Sequence, residues 1–320
     1  MMTRDDFIKE AKGVLMEMLP EELKQGLTLD AVEITKSNDQ KLHGLTFKRE
    51  DSEAAPTIYL DDAYGRFTRG EEMHALVAEL KDAYVRSMYM PQPSEVDFNL
   101  DHIQDKLTLR LLEIRRNRDY LSQTPYMTVG NGLAMVCDIK MDNGTDIWRA
   151  TVTQAMMDKE NYDKRELFIS AMDNAQLIDP PVLVDMSQAI FGRAGENLML
   201  RSEPLEQDEK GSMYILTNES GSLGSAVLFY PETREHIADL LEEGYCVLPS
   251  SQHEVLIVPD SAGIDTAELN AMVKQANQEV VEPKDVLSDN VYHYDRGDRR
   301  FEIASVQSEK GIQVAEAGRW

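Results

Sequence analysis

The chain has 320 residues, of which 42% are hydrophobic, so it can bury a substantial core and form more than one lobe. It carries 58 Asp and Glu against 33 Lys and Arg, a formal net charge of -25. This charge disfavours direct binding to nucleic acid and to anionic membranes, because both need a cationic protein face.

The amino-terminal segment predicts a helix followed by a small antiparallel sheet. Apolar residues recur at helical spacing over residues 3–19, Thr3 is the predicted N-cap, and Pro20 ends the helix. Two alternating segments flank the polar turn Asn38-Asp39-Gln40 and predict paired strands, and "PTIYL" predicts a third strand.

A second helix closes this lobe. Residues 70–89 place apolar side chains along one helical side, and Pro91 and Pro93 end the helix. The amino-terminal lobe is therefore predicted to span residues 1–95.

A long helix is predicted to connect the lobes over residues 96–125. Its segment "LDHIQDKLTLRLLEIRRNRDYL" repeats apolar residues every three to four positions from Ile103 onward. Arg115, Arg116 and Arg118 follow near its carboxyl end, where the helix macrodipole favours positive charge. We interpret these arginines as partners of carboxylates, and an anion-binding site is the functional alternative.

Residues 126–305 predict a carboxyl-terminal lobe in which strands and helices alternate. Asn143-Gly144 between two alternating segments predicts a hairpin, and "DKRELFISAMDNA" predicts a helix near 163–175. The segments "MYILT" and "SAVLFY" predict strands, and the helix in "PETREHIADLLEE" ends at Gly244.

The chain ends with a predicted helix near 265–279, a hairpin in "VYHYDRGDRRFEIA" and a loose tail at 306–320. The predicted fold class is α+β, with two lobes that each pack helices on a small mixed or antiparallel sheet.

Cys137 and Cys246 lie in apolar segments and are predicted to be small buried hydrophobes in a reducing compartment. Neither a signal peptide nor a membrane span fits the amino terminus, so we expect a cytoplasmic protein.

The stretch "YCVLPSSQHEVLIVPD" contains the residues that most resemble a catalytic cluster. Ser250, Ser251 and His253 supply the residue types of a serine nucleophile and its base. However, strands at 245–248 and 253–258 would place residues 249–252 in a hairpin turn. Neighbouring side chains on a strand point to opposite faces, so Glu254 could not orient His253. We therefore interpret the stretch as a turn.

Other motifs also favour structural roles. The segments "GSLG" at 221–224 and "GRAGEN" at 192–197 lack the context of phosphate-binding loops, and the six histidines are scattered, which predicts no metal site. Asp173 and Asp179 are close in sequence but are explained by a helix end and a loop before proline. Arg299 and Arg300 in the last hairpin are candidate binding residues, with a charged hairpin tip as the simpler interpretation.

Three phrases, "YMTVGNGLAMVCDI", "AMDNAQLIDPP" and "YCVLPSSQHEVLIVPD", resemble an uncharacterised family of acidic cytoplasmic proteins common in gut Clostridia and their mobile elements. From residue 165 onward the order of segments is similar to that of a second uncharacterised family in bacilli. The resemblance covers most of the chain and supports its organisation. It implies no activity, cofactor or catalytic residue.

The sequence leaves two classes of function open. The favoured one is a non-enzymatic regulatory or inhibitory protein, without a cofactor, that binds another protein through its acidic surface. A basic nucleic-acid-binding protein is one class of partner, although acids spread over many helices and loops disfavour mimicry of nucleic acid. The alternative is a hydrolase or small-ligand-binding enzyme with its site near His253.

Overall fold

We describe the fold from a computed structural model, in which residues 2–50, 55–87, 99–142, 147–190 and 195–304 are described. The chain divides into two units, Met1–Ile103 and Gln104–Trp320. Some predicted features lie outside the described residues: Pro91, Pro93, the Asn143-Gly144 turn, residues 192–194 of "GRAGEN" and the tail at 306–320.

The amino-terminal unit contains the predicted helix, meander and second helix. The hydroxyl oxygen of Thr3 accepts the amide N–H of Asp6 at 3.2 Å and so caps the first helix, which ends before Pro20. These predictions are confirmed. The short helices Glu21–Lys24 and Asp61–Thr68 were not predicted. In chain order the elements are α1 (Arg4–Met18), α2 (Glu21–Lys24), β1 (Leu27–Lys36), β2 (Gln40–Arg49), β3 (Thr57–Tyr59), α3 (Asp61–Thr68), α4 (Met73–Ser87) and α5 (Leu100–Ile103).

The strands of this unit form an antiparallel sheet in the order β1-β2-β3. Lys36 lies opposite Gln40 at the turn, where Asn38 has a φ of 60°. Asn tolerates this left-handed conformation better than most residues, so the polar turn helps to fix the register. The core includes Phe47 and Tyr84, whose rings stack with centroids 3.9 Å apart.

The carboxyl-terminal unit is larger and carries most of the predicted strand and helix alternation. Its last hairpin and the helices near 163–175, 231–243 and 265–279 are confirmed. In chain order the elements are β4 (Leu107–Glu113), α6 (Arg118–Leu121), β5 (Tyr126–Val129), β6 (Leu133–Asp142), β7 (Ile147–Thr151), α7 (Gln154–Glu160), α8 (Lys164–Ile178), β8 (Pro181–Asp185), α9 (Met186–Ile190), β9 (Tyr214–Asn218), α10 (Thr233–Leu241), β10 (Tyr245–Leu248), β11 (Val255–Pro259), α11 (Thr266–Glu279), β12 (Tyr292–Asp295) and β13 (Arg300–Ile303).

Two antiparallel sheets organise this unit. In the four-stranded sheet β6 is central, with β4 on one side and β5 and β7 on the other. The six-stranded sheet has the order β13-β12-β10-β11-β9-β8, and α11 contacts β10. Helices packed on separate antiparallel sheets confirm the α+β class.

The predicted connecting helix over 96–125 is wrong. Its described part contains single helical turns in α5 and α6 and, between them, the strand β4. All seven residues of β4 are buried, so this run is covered on both faces even though Thr108, Arg110 and Glu113 are polar. Periodicity alone does not distinguish such a run from a buried helix. Pairing with β6 decides the structure, because Leu107 lies opposite Ile139 and Glu113 opposite Leu133.

The predicted strand over "SAVLFY" is also wrong, because Gly224–Phe229 forms a 3-10 helix. The preceding Leu223 has a φ of 54°, and the amide of Gly224 donates to the carbonyl oxygen of His253 at 2.9 Å. A Cβ at position 224 would lie 2.5 Å from the amide nitrogen of Asn218, so only glycine fits. Residues 224–228 are buried, which explains their apolar pattern without strand pairing.

A buried ion pair lies within the four-stranded sheet. Arg110 on β4 donates from Nε and Nη2 to the two carboxylate oxygens of Asp138 on β6, at 2.8 and 3.1 Å. The same Nη2 lies 2.7 Å from the hydroxyls of Tyr120 and Thr151. The side chains of Arg110 and Asp138 are only 10% and 3% exposed, so each charge depends on the other for compensation.

Candidate functional site

The serine and histidine stretch forms the connection between β10 and β11. The second strand begins at Val255 rather than at His253, so the connection is longer than predicted. It is held by main-chain bonds to residues 285–288, in which Leu287 donates to the carbonyl oxygen of Ser250 at 3.0 Å and Gln252 donates to that of Asp285 at 2.8 Å. The stretch is therefore held by main-chain hydrogen bonds to residues 285–288 and is not an isolated hairpin turn.

Both ring nitrogens of His253 face groups other than a serine hydroxyl. Nδ1 accepts the amide N–H of Leu223 at 3.1 Å, and Nε2 lies 3.4 Å from a carboxylate oxygen of Asp285. The hydroxyl of Ser251 accepts the backbone amide of His253 at 3.0 Å. Since a general base must reach the proton of its nucleophile, this geometry favours the structural interpretation of Ser250, Ser251 and His253.

Replacing His253 with Ala is expected to lower the free energy of unfolding by about 1–2 kcal/mol, because the amide of Leu223 loses its acceptor. Ser250→Ala is the matched control from the same connection, and its change is expected to stay within about 0.5 kcal/mol. Urea unfolding followed by fluorescence measures both changes. Covalent labelling of Ser250 or Ser251 in the folded protein by a fluorophosphonate would contradict this interpretation.

The candidate arginines are dispersed over different contacts. Arg116 pairs with Glu113 and with Asp289, both within its own unit. Arg115 and Arg118 are exposed and have no salt bridge to any described residue. These residues follow a strand and not the predicted helix, so the helix macrodipole does not explain them.

The arginines of the last hairpin lie at its tip and on β13. Arg299 is exposed and has a φ of 50°, and Arg300 lies within 3.6 Å of carboxylate oxygens of Asp298 and Glu302. Arg116 and Arg300 therefore have no described carboxylate partner in common.

Asp173 and Asp179 do not form a carboxylate pair. Asp173 is exposed on α8, whereas Asp179 is 1% exposed at the end of that helix. Asp179 accepts from Lys140 at 2.6 Å and from Arg149 at 3.2 Å. Burial alone would raise the pKa of Asp179, but the Lys140 hydrogen bond and the Arg149 charge outweigh burial and lower it.

Negative charge is concentrated late in the chain. Residues 219–295, here called the acidic segment, contain fifteen Asp and Glu against three Lys and Arg. Eleven of these carboxylates are exposed and none is buried. The acids of this segment are spread over several helices and loops, as predicted, and it is the scarcity of Lys and Arg that makes the segment supply about half of the net charge of -25.

A cleft of about 600 Å³ opens within the acidic segment and the last hairpin. It lies between one face of the six-stranded sheet and the start of α11, which contributes Thr266 and Leu269 to its lining. Its titratable lining residues are Cys246, Asp260, Asp265, His293 and Glu302. The cleft therefore combines a thiol, an imidazole and three carboxylates.

Strand pairing places three of these side chains in one row. Cys246 on β10 lies opposite His293 on β12, and His293 lies opposite Glu302 on β13. Directly opposite residues of antiparallel strands point to the same face, with Cβ atoms about 4.5–5.5 Å apart. Asp260 follows β11, and its carboxylate oxygens lie 3.0 and 3.2 Å from Nε2 of His293.

Gly244 makes room for the pair of His293 and Asp260. A Cβ at position 244 would lie 2.6 Å from a carboxylate oxygen of Asp260 and 3.3 Å from Nε2 of His293. A larger residue would therefore displace the carboxylate that holds the imidazole. The helix that Gly244 was predicted to stop ends earlier, at Leu241, where Glu242 adopts the left-handed conformation, so the glycine serves the cleft instead.

The surroundings shift two pKa values in the cleft. The hydrogen bond that the imidazole donates to the Asp260 carboxylate raises the pKa of His293, and the charges of Asp260, Asp295 and Glu302 act in the same direction against burial. Burial raises the pKa of Cys246 to about 11, with a further contribution from the charge of Asp260. The thiol is therefore protonated at neutral pH.

Sequence reasoning missed this cleft because it took Cys246 as a buried hydrophobe. The available signal was the alternation in "YCVL" and "YHYD". The tyrosines of both segments are buried on one face, which puts Cys246 and His293 on the other face. No group of His, Cys, Asp and Glu in the described part of the chain is placed to hold a metal ion.

Comparison with known proteins gives a family but no described relative. A family model with the description "Family of unknown function (DUF5688)" matches residues 5–296. No curated protein and no solved structure matches the chain. Among the helices that the structure describes, none has the length and hydropathy needed to cross a membrane.

Proposed function

The chain belongs to DUF5688, a family of unknown function, and we propose from its own residues that it is a regulatory protein that binds a basic partner protein. The acidic segment is the proposed binding surface. The proposal places the protein in the cytoplasm, where its two free thiols stay reduced. It includes basic nucleic-acid-binding proteins as a class of partner.

The observation that carries the proposal is the number of carboxylates in the acidic segment that lack an internal cation. Nine of its fifteen Asp and Glu have no Lys, Arg or His of the described chain within salt-bridge distance: Glu219, Glu232, Glu235, Glu243, Glu254, Asp265, Glu268, Glu279 and Asp295. Charge that is not neutralised within the chain is available to a partner of opposite sign. Such a surface accelerates association, and salt screens its effect.

We expect the full chain to bind a lysine-rich peptide with a dissociation constant that rises at least about tenfold between 50 and 300 mM NaCl. A glutamate-rich peptide of the same length is expected not to bind. Isothermal titration calorimetry measures both interactions. Binding of the lysine-rich peptide that does not change with salt would contradict the proposal.

A pair of charge-matched variants locates the binding surface. The first variant neutralises four exposed carboxylates of the acidic segment: Glu232→Gln, Glu254→Gln, Glu268→Gln and Glu279→Gln. The second neutralises four exposed carboxylates of the amino-terminal unit: Glu10→Gln, Glu17→Gln, Glu22→Gln and Glu72→Gln. Only the first is expected to weaken peptide binding by about tenfold, since both have the same net charge. Equal weakening would show that total charge, and not this segment, governs binding.

The contacts of His253 oppose a hydrolase site at that residue, but the cleft around Cys246 and His293 gives the enzymatic alternative a specific location. A nucleophile, a base and a carboxylate that holds the base are the components of covalent acyl transfer. Cys246, His293 and Asp260 line the open cleft, whereas His253 lies in the connection between β10 and β11.

A further inference from the structure

Cys246 and His293 come together because β10 and β12 are neighbours in the six-stranded sheet. The two residues lie directly opposite each other and line the same cleft. Side chains at such opposite positions have Cβ atoms about 4.5–5.5 Å apart, and both Cys246 and His293 are partly exposed. Cys137, the other thiol, is fully buried on β6 and has no such access.

Asp260 holds the imidazole from the side away from the backbone. Its carboxylate contacts Nε2 of His293, so the proton on this nitrogen points to Asp260. Nδ1 of His293 has no hydrogen-bond partner among the described residues. An imidazole held in this way keeps Nδ1 available as an acceptor for a nearby proton.

We propose that Cys246 is a nucleophile that attacks the carbonyl carbon of a positively charged ester or amide. His293 is its general base, and Asp260 is the positioning residue that orients the imidazole. The arrangement has the three roles of a nucleophile, a base and an orienting group.

Acylation of Cys246 and hydrolysis of the thioester need only the substrate and water. Sulfur forms a bond to the carbonyl carbon while the thiol proton moves to Nδ1 of His293. The bond from that carbon to the leaving oxygen or nitrogen then breaks, and the leaving group takes the proton from His293. Water attacks the resulting thioester, which releases the carboxylic acid and restores the thiol.

The carboxylates of the lining select the charge of the substrate. Asp265 and Glu302 line the cleft, and neither carboxylate is hydrogen-bonded to the imidazole of His293 among the described contacts. A guanidinium or ammonium group on the acyl portion would pair with them. This preference rests on the proposed recognition of basic groups, whereas the thiol step does not depend on it.

The protonated resting thiol requires a base, and this gives the reaction a pH signature. His293 faces Cys246 on β10, Asp260 after β11, Glu302 on β13 and Asp295 at the end of its own strand. Their negative charges hold the pKa of His293 above its ordinary value. Acylation is therefore expected to rise as pH increases through that raised imidazole pKa, before the range near 11 in which the free thiol ionises.

The test uses the full chain and 4-nitrophenyl 4-guanidinobenzoate, with release of nitrophenol and intact mass as readouts. We expect a burst of one equivalent and one acyl group attached to Cys246. Cys137→Ala is expected to behave as wild type, and Cys246→Ala is expected to show no burst. His293→Gln is expected to slow acylation by about 100-fold, since it retains the thiol but removes the base.

Two further arms separate the thiol step from the charge preference. Asp260→Asn is expected to slow acylation and shift its pH profile, and circular dichroism checks that each variant is folded. With neutral 4-nitrophenyl benzoate, equally fast acylation of Cys246 would overturn the substrate class alone. Acylation that His293→Gln leaves unchanged, or that remains in Cys246→Ala, would overturn the nucleophile and its base. The acylation test does not depend on peptide binding. If the lysine-rich peptide fails to bind, the proposed binding surface is contradicted, but the assignment of Cys246 and His293 is not.

Discussion

Asp179→Asn is expected to lower the free energy of unfolding by about 3–5 kcal/mol, because it leaves two buried cations without a counter-charge. Lys140 and Arg149 both donate to this carboxylate, and their side chains are only 9% and 13% exposed. Thr108 on β4 donates to the same group at 2.9 Å. The amide keeps the shape of the side chain, so the loss measures charge compensation and not packing.

Urea unfolding at pH 7 measures this loss, and Asp173→Asn is its control. Both substitutions remove one carboxylate near the end of α8, but Asp173 is exposed. Its replacement is expected to change the free energy of unfolding by less than about 0.5 kcal/mol. Similar effects for the two variants would contradict the assigned role of Asp179.

The pH dependence of the Asp179 variant has a defined sign. The pKa of Asp179 is lower in the folded state than its ordinary value, which is about 3.9 for Asp in an unfolded chain. Its contribution is therefore fully present above about pH 5 and is lost as pH falls through the folded pKa. The difference between wild type and Asp179→Asn is expected to narrow in acid, because only the wild type loses this interaction.

The sequence predicted helices that begin with a residue able to cap them through its own side chain. Thr3 and Asp265 both cap helices through side-chain oxygens, and the helices that follow were visible as periodic apolar patterns. β4 also carried an apolar pattern at helical spacing, which predicted a helix, but it is a strand buried on both faces whose structure depends on pairing with β6. The 3-10 helix at Gly224–Phe229 likewise depends on backbone contact with distant residues.

The same distinction applies to the candidate sites. The serine and histidine residues were visible as adjacent letters, but their roles depend on bonds to Leu223 and to residues 285–288. The cleft was not visible, because Cys246, Asp260 and His293 are separated in sequence and meet only through the order of β10, β11 and β12. One sequence shows which face of a strand a residue occupies, but not which strand lies beside it.

Arg110→Met is expected to destabilise the carboxyl-terminal unit by about 3–5 kcal/mol, because Asp138 then remains buried without a cation. The double variant Arg110→Met with Asp138→Leu is expected to recover at least half of that loss. The reason is that the hydroxyls of Tyr120 and Thr151 already lie 2.7 Å apart and can satisfy each other once both charges are gone.

A double-mutant cycle in urea separates the cost of an unpaired charge from the net contribution of the pair. Arg300→Met, on an arginine that is 62% exposed, is the control and is expected to leave the unfolding midpoint unchanged. If the double variant is as unstable as the sum of the single variants, the coupling energy is zero, and Arg110 and Asp138 contribute to stability independently of each other. If it recovers, Arg110 and Asp138 contribute through mutual compensation, and the stability of the sheet comes from the apolar residues of β4 and β6 around them.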